Sequence, residues 1–142
     1  MTGTEPPPKV DTKRYQRMIE EFNESSAVDR NCRLQLMRIG EHLVFKIEGQ
    51  ANKAGYGMLT TKAMEILTAR ASASLIVDLS LCEAIASSPL GVLGFVMMTY
   101  KRGGGRVYLV SSNETVRKSL RILGLDKVYE AKDSVDEVLS PE

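Results

Sequence analysis

From residue 75 onward the chain alternates short apolar segments with longer stretches of helical periodicity, and nothing else in the sequence constrains the fold as strongly. LIVD at 75–78 reads as a short buried strand, 89–102 as a helix, RVYLV at 106–110 as a strand, and 114–123 as a helix. KVYEA at 127–131 reads as a further strand, and 135–139 as a short closing helix. Strands that run parallel need a crossover of about a dozen residues or more, usually a helix, so this order predicts parallel strands joined by right-handed crossovers. Ahead of the alternation, LQLMRI at 34–39 and LVFKIE at 43–48 flank Gly40, Glu41 and His42, a spacing that suits an antiparallel hairpin. Between the hairpin and LIVD, the residues Tyr56, Leu59, Ala63, Ile66 and Leu67 line one side of a helix. The expected fold is therefore α/β: a mixed central sheet, amino-terminal hairpin first and parallel strands after it, with helices packed on it.

The length of 142 residues, 43% of them hydrophobic, supports one core. The expected domain spans 32–139. Residues 1–31 are read as a flexible tail followed by a short amphipathic helix. Pro6, Pro7 and Pro8 deny the tail regular hydrogen bonding, whereas Tyr15, Met18, Ile19 and Phe22 recur at helical spacing. The polar run NESSAVDRN at 23–31 reads as a linker. Later helix boundaries are better marked. Asn113 suits the cap of a helix whose core face is Val116, Leu120 and Leu123, and Gly124 stands where a left-handed terminator is wanted. Ser88 is a capping candidate and Pro89 suits a first helical position, so LCEAIASS at 81–88 reads as a connection.

Nineteen Lys and Arg against eighteen Asp and Glu leave a net charge of +1, which argues against nucleic-acid binding. Two cysteines, Cys32 and Cys82, and the single His42 supply neither a disulfide framework nor a zinc site, so a reducing cytoplasm is expected. The longest apolar run, at 90–98, is interrupted by Gly91 and Gly94 and falls short of the roughly 20 residues of a membrane span, so no membrane insertion is expected. Catalytic constellations are missing as well. His42 sits in a predicted turn, and Cys82 lacks a basic neighbour in sequence. Asp78 and Glu83 read as solvated or capping carboxylates, and Gly55 with Gly57 lacks the third glycine of a dinucleotide fingerprint. Gly103, Gly104 and Gly105 lack the Lys and Ser/Thr of a phosphate loop and read as a helix-ending turn. Lys101, Arg102 and Arg106 bracket that turn and could meet an anion, although a solvated loop is the simpler reading. Neither an enzyme nor a cofactor is expected.

The informative element is the segment at 86–105, ASSPLGVLGFVMMTYKRGGG. If Leu90, Leu93, Met97 and Tyr100 face the sheet, a rotation of about 100° per residue places Val92, Phe95, Thr99 and Arg102 on the opposite side. Such an apolar outer face is either enclosed within the fold or an exposed partner-binding stripe capped by Ser87 and taking in Ser88 and Pro89.

The segment at 75–139 resembles the second half of a STAS domain, the fold of bacterial anti-sigma factor antagonists. With the hairpin and the first crossover helix, the resemblance covers roughly 32–139. It is carried by Asp78 at a strand end, Ser87 and Ser88 followed by Leu90 and Gly91, the glycine turn, the strand RVYLV, and the Gly124-Leu125 step. The resemblance implies a binding protein that sequesters an anti-sigma factor with serine kinase activity, and it places the phosphorylated hydroxyl on Ser87. Ala86 stands where the family has an acidic residue, and Pro89 where it has a glycine. The alternative is a STAS subunit of a signalling scaffold or transporter complex without phosphorylation. A small-ligand carrier with a pocket beside the amino terminus of helix 89–102 is a third class, and a homodimer is compatible with the sequence.

Overall fold

A computed structural model describes residues 12–26, 32–51, 66, 74–111 and 113–139. β1 (Cys32–Ile39) and β2 (His42–Ala51) pair antiparallel, from Ile39 opposite His42 to Cys32 opposite Gly49. The turn between them is only Gly40 and Glu41, with Gly40 at φ 59°, so His42 opens a strand rather than occupying the turn. β3 (Ser74–Asp78) runs parallel to β2, β5 (Arg106–Val110) parallel to β3, and β6 (Glu130–Lys132) parallel to β5. The order β1-β2-β3-β5-β6 gives the expected mixed sheet. All five residues of β3 are buried, which explains why LIVD shows no polar alternation.

Residue parity divides the core. Leu43, Phe45, Leu75, Val77, Val107 and Leu109 face the larger cluster, whereas Val44, Ile76 and Val110 face a smaller one closed by Val138 of the terminal helix Val135–Leu139. The large cluster receives Leu93, Val96, Met97 and Tyr100 of α2 (Ser87–Arg102), together with Val116 and Leu120 of α3 (Glu114–Ile122). Ile66 is buried there too, as its place in the expected crossover helix requires. Tyr56, Leu59, Ala63 and Leu67, like Gly55, Gly57 and the three amino-terminal prolines, lie outside the described residues.

The amino-terminal helix α1 (Thr12–Ser26) lays Tyr15, Ile19 and Phe22 into the same cluster, with the Phe22 and Phe45 rings edge to face at 6.5 Å. It extends past Phe22, so residues 23–26 are helical rather than linker. Asn23 has a specific task. Its Nδ2 donates to the Leu36 carbonyl at 2.9 Å, and its Oδ1 accepts from the Leu36 N–H at 2.7 Å, so one side chain pairs with the outer backbone of β1.

Three further expectations need correction. Residues 82–85, read as connection, form β4 (Cys82–Ile85), parallel to β2 just beyond the point where β3 ends. The last strand begins at Glu130 rather than Lys127, because Leu125–Lys127 form a 3₁₀ turn. Leu123 is the C-cap of α3 and 53% exposed, and Leu125 takes the core position instead. The helix stops at Ile122, so its 3.6-residue period no longer governs Leu123. Gly124, at φ 75°, ends it as expected, its N–H bonded to the Arg121 carbonyl. Leu125 then fits against α2 at Gly94, where an added Cβ would lie 2.8 Å from its Cδ1.

Candidate functional site at the amino end of the second helix

Asp78 ends β3 and shapes the turn after it. Its carboxylate is buried, and Oδ1 accepts from the Ser80 N–H at 3.0 Å and the Ser80 hydroxyl at 2.6 Å. This makes it a capping group, one of the two roles expected for it. The Cys82 N–H bonds to the Leu79 carbonyl at 3.0 Å, closing a turn around Ser80 and Leu81, and the Gly49 N–H takes the Leu81 carbonyl at 2.9 Å. The chain therefore leaves one parallel pairing with β2 and resumes another a few residues later, at Gly49 opposite Cys82.

β4 leads into α2 at the carboxyl edge of the sheet, the edge that ligand sites of parallel sheets favour. Ala86, extended at φ −74° and ψ 163°, is the N-cap, and its carbonyl accepts from the Leu90 N–H at 3.0 Å. Ser87 is thus the first helical residue, Ser88 the second and Pro89 the third. The expected cap at Ser88 and first position at Pro89 are both corrected. The backbone enters helical geometry directly after β4, which moves the boundary toward the amino terminus. Pro89 remains tolerated because none of the first three helical N–H groups has an intrahelical acceptor. Ala86 makes no side-chain cap, and the first turn holds no acidic residue.

Along α2, Leu90, Leu93, Met97 and Tyr100 are buried as expected. Phe95 is 56% exposed, which excludes a helix enclosed on both sides. Gly91 and Arg102 share its exposed face, while Val92 and Thr99 are half-buried at its border. The Thr99 hydroxyl donates to the Phe95 carbonyl at 2.8 Å, turning it back onto the helix. The glycine turn ends α2 as expected. The Gly105 N–H reaches the Tyr100 carbonyl at 2.9 Å and the Gly104 N–H the Lys101 carbonyl at 3.1 Å, with Gly104 at φ 88°.

Asn113 is the expected cap of α3, and it also does something that sequence spacing did not reveal. Its Oδ1 accepts from the Thr115 and Val116 N–H groups at 2.9 and 3.2 Å. Its Nδ2 crosses to β4, donating to the carbonyls of Glu83 at 2.8 Å and Cys82 at 3.4 Å. The strand that delivers Ser87 is thereby tied to the start of α3. The only signal in the sequence is the residue type, since asparagine alone among good caps keeps a spare NH₂ donor.

The other candidates do not assemble into a reactive centre. The Cys82 thiol is buried, and burial pushes its pKa up, a shift that a hydrogen bond with the Ala84 backbone opposes without cancelling. Cys32 and Cys82 each pair with Gly49 from opposite sides, two strand spacings or roughly 9.5 Å apart, beyond disulfide reach. His42 Nδ1 hydrogen-bonds Ser74 Oγ where β2 meets β3. Among the described residues, no group of three or more His, Cys, Asp or Glu could hold a metal ion, and no helix is long and apolar enough to cross a membrane.

Comparison with known folds agrees with this architecture. An anti-sigma factor antagonist from Mycobacterium paratuberculosis superposes with a TM-score of 0.63 at 20% identity, covering 78% of this chain and 92% of that one. The Bacillus cell fate determinant SpoIIAA in its phosphorylated form gives 0.62 at 19% identity over 76% and 97% of the two chains. Its unphosphorylated form gives 0.60 at 19% identity over 75% and 93%. At such identities the likeness is one of fold. The model of the STAS domain family matches residues 33–138, from the second residue of β1 to the last helix, and the chain belongs to that family.

Proposed function

We propose that the protein is an anti-sigma factor antagonist, acting in the cytoplasm by binding rather than catalysis. Its partner is an anti-sigma factor with serine kinase activity, and sequestering that partner frees a sigma factor for transcription. The observation that carries this reading is the exposed Phe95 on a helix whose first residue is Ser87. Phe95 and Val92 form the centre of the contact, Thr99 and Arg102 its rim, and Ser88 and Pro89 its amino end.

Phosphate on Ser87 would add about −1.5 to −2 charges beside the free N–H groups of the first turn, where the helix dipole favours an anion. The fold then survives, and the partner surface changes. Phe95 follows Ser87 by eight residues, about 12 Å along the axis, so a docked partner covers both and must desolvate the phosphate. Binding is switched off. The neutral cap at Ala86 favours a second reading, a STAS subunit of a signalling scaffold or transporter complex in which Ser87 is never modified.

Capture on the immobilised chain, with captured proteins identified and then incubated with the chain and ATP, tests the proposal. The expected result is a kinase-domain protein that places one phosphate on Ser87, binds the Ser87→Asp variant poorly, and is lost with Phe95→Asp. Phe95→Asp should change stability by about 0.5 kcal/mol or less, because the side chain is mostly in water. Recovery of transporter or scaffold subunits with Ser87 unmodified would replace the first reading by the second.

A further inference from the structure

At the other end of α2, a cleft of about 400 Å³ opens beside the amino ends of β5 and β6, lined among others by Lys101, Arg106, Tyr108, Lys127, Tyr129 and Glu130. The cations come from three separate segments: the last turn of α2, the first residue of β5, and the end of the 3₁₀ turn. Folding therefore adds Lys127 to two of the three basic residues flanking the glycine turn, Lys101 and Arg106, and leaves Arg102 out of the lining. None of the three has a carboxylate within 4 Å among the described residues. The one carboxylate in the lining, Glu130, lies 3.9 Å from Lys132, which also reaches Glu137 at 3.9 Å, and Arg106 feels both the neighbouring Tyr108 side chain and, more weakly, the Glu130 charge.

The surroundings favour an anion in two further ways. The carbonyls of Tyr100 and Lys101, which would repel one at a helix carboxyl end, are occupied by the Gly105 and Gly104 N–H groups. Most of the lining is polar, with Val128 and the Tyr129 ring supplying a small apolar wall, and the volume is more than a bare phosphate fills. We infer that this cleft binds a small organic phosphate, its phosphoryl group held by Lys101, Arg106 and Lys127 and its organic part lying against Val128 and Tyr129. The site is separate from Ser87. Ser87 and Lys101 are 14 residues apart on α2, about 21 Å along its axis, so the inference stands whether or not Ser87 is modified.

Phenyl phosphate, inorganic phosphate and phenol, titrated at constant ionic strength into the labelled full chain and followed by amide chemical shifts, test the inference. Phenyl phosphate should give saturable shifts at Lys101, Arg106, Lys127 and Tyr129. Inorganic phosphate should bind more weakly and phenol not at all. Arg106→Gln and Lys127→Gln, both at exposed positions and checked for an unchanged melting temperature, should each weaken phenyl phosphate about tenfold, the equivalent of one charge-assisted contact. Shifts of equal size at Lys118, an exposed cation of α3 outside the cleft, would overturn the inference. Shifts that never saturate, or affinities the variants leave unchanged, would do the same.

Discussion

Asn113 shows how much one amide can organise. Its oxygen caps α3 and its nitrogen holds β4, so Asn113→Ala removes both at once. A lost cap costs about 0.5 to 2 kcal/mol and each neutral hydrogen bond about 0.5 to 1.5, which places the expected loss at roughly 2 to 3 kcal/mol by urea denaturation. Asn113→Asp separates the two roles. A carboxylate still caps the helix, but it turns an acceptor toward the carbonyls of Cys82 and Glu83, so stability should fall while α3 remains intact by amide exchange. Cys82 offers a pH-dependent prediction. Burial raises its pKa in the folded state above the ordinary value of about 8.5, so the folded chain holds the thiol proton more tightly. That contribution is complete below the unfolded value and is lost as pH rises through the folded one. Stability should therefore decline above about pH 8.5, and Cys82→Ala should flatten the first part of the decline. The Tyr129 phenol is raised too, by burial and by Asp126, so its contribution begins to be lost only above the ordinary tyrosine value of about 10, and Cys82→Ala leaves that part in place.

At the scale of elements, α1 lies outside the matched family residues, yet three of its side chains sit in the main core. Fully burying each is worth about 1.5 to 3 kcal/mol, against a total of about 5 to 15 for a typical domain. Removing residues 1–26 should consequently lower the urea midpoint sharply. An unchanged midpoint would show that α1 contributes nothing to the fold. The period of Tyr15, Ile19 and Phe22 made α1 legible, and capping chemistry did the same for α3 through Asn113 and Gly124. β4 was not legible. Cys-Glu-Ala-Ile is too short to show a period, and its strand geometry comes from the Asp78 turn and from pairing with Gly49, both set by tertiary structure. The start of α2 was misplaced for a related reason: Ser88 and Pro89 carry good amino-terminal signals, but the chain entering from β4 reaches helical geometry before them. Spacing put Phe95 on the side of α2 away from the sheet, but its exposure was settled only by the fold, which among the described residues places no other element over it. The cleft at the far end did not follow from spacing, because Lys127 lies 21 residues beyond Arg106 and only the pairing of β5 with β6 brings them to one place.

Over the whole molecule, α2 spans the sheet from its carboxyl edge to its amino edge, so the Ser87 end and the basic cleft occupy opposite poles of one rigid rod. The expected mixed sheet is observed because its determinants are local: a tight hairpin, short apolar strands, and helices of crossover length. The outer strands have a different consequence. The midpoint of β1 is occupied by Asn23, the free side of β4 by Asn113, and β6 is three residues long and ends in Lys132. Exposed strand backbone is a template on which a second chain can polymerise, and short strands, lysines and occupied carbonyls are the means by which proteins prevent it. Under the proposed function, a molecule that offers the exposed face of α2 to a partner must remain dispersed until that partner arrives. In this fold one face of α2 is left in solvent, while Asn23, Asn113 and Lys132 interrupt the outer strands against fibre growth.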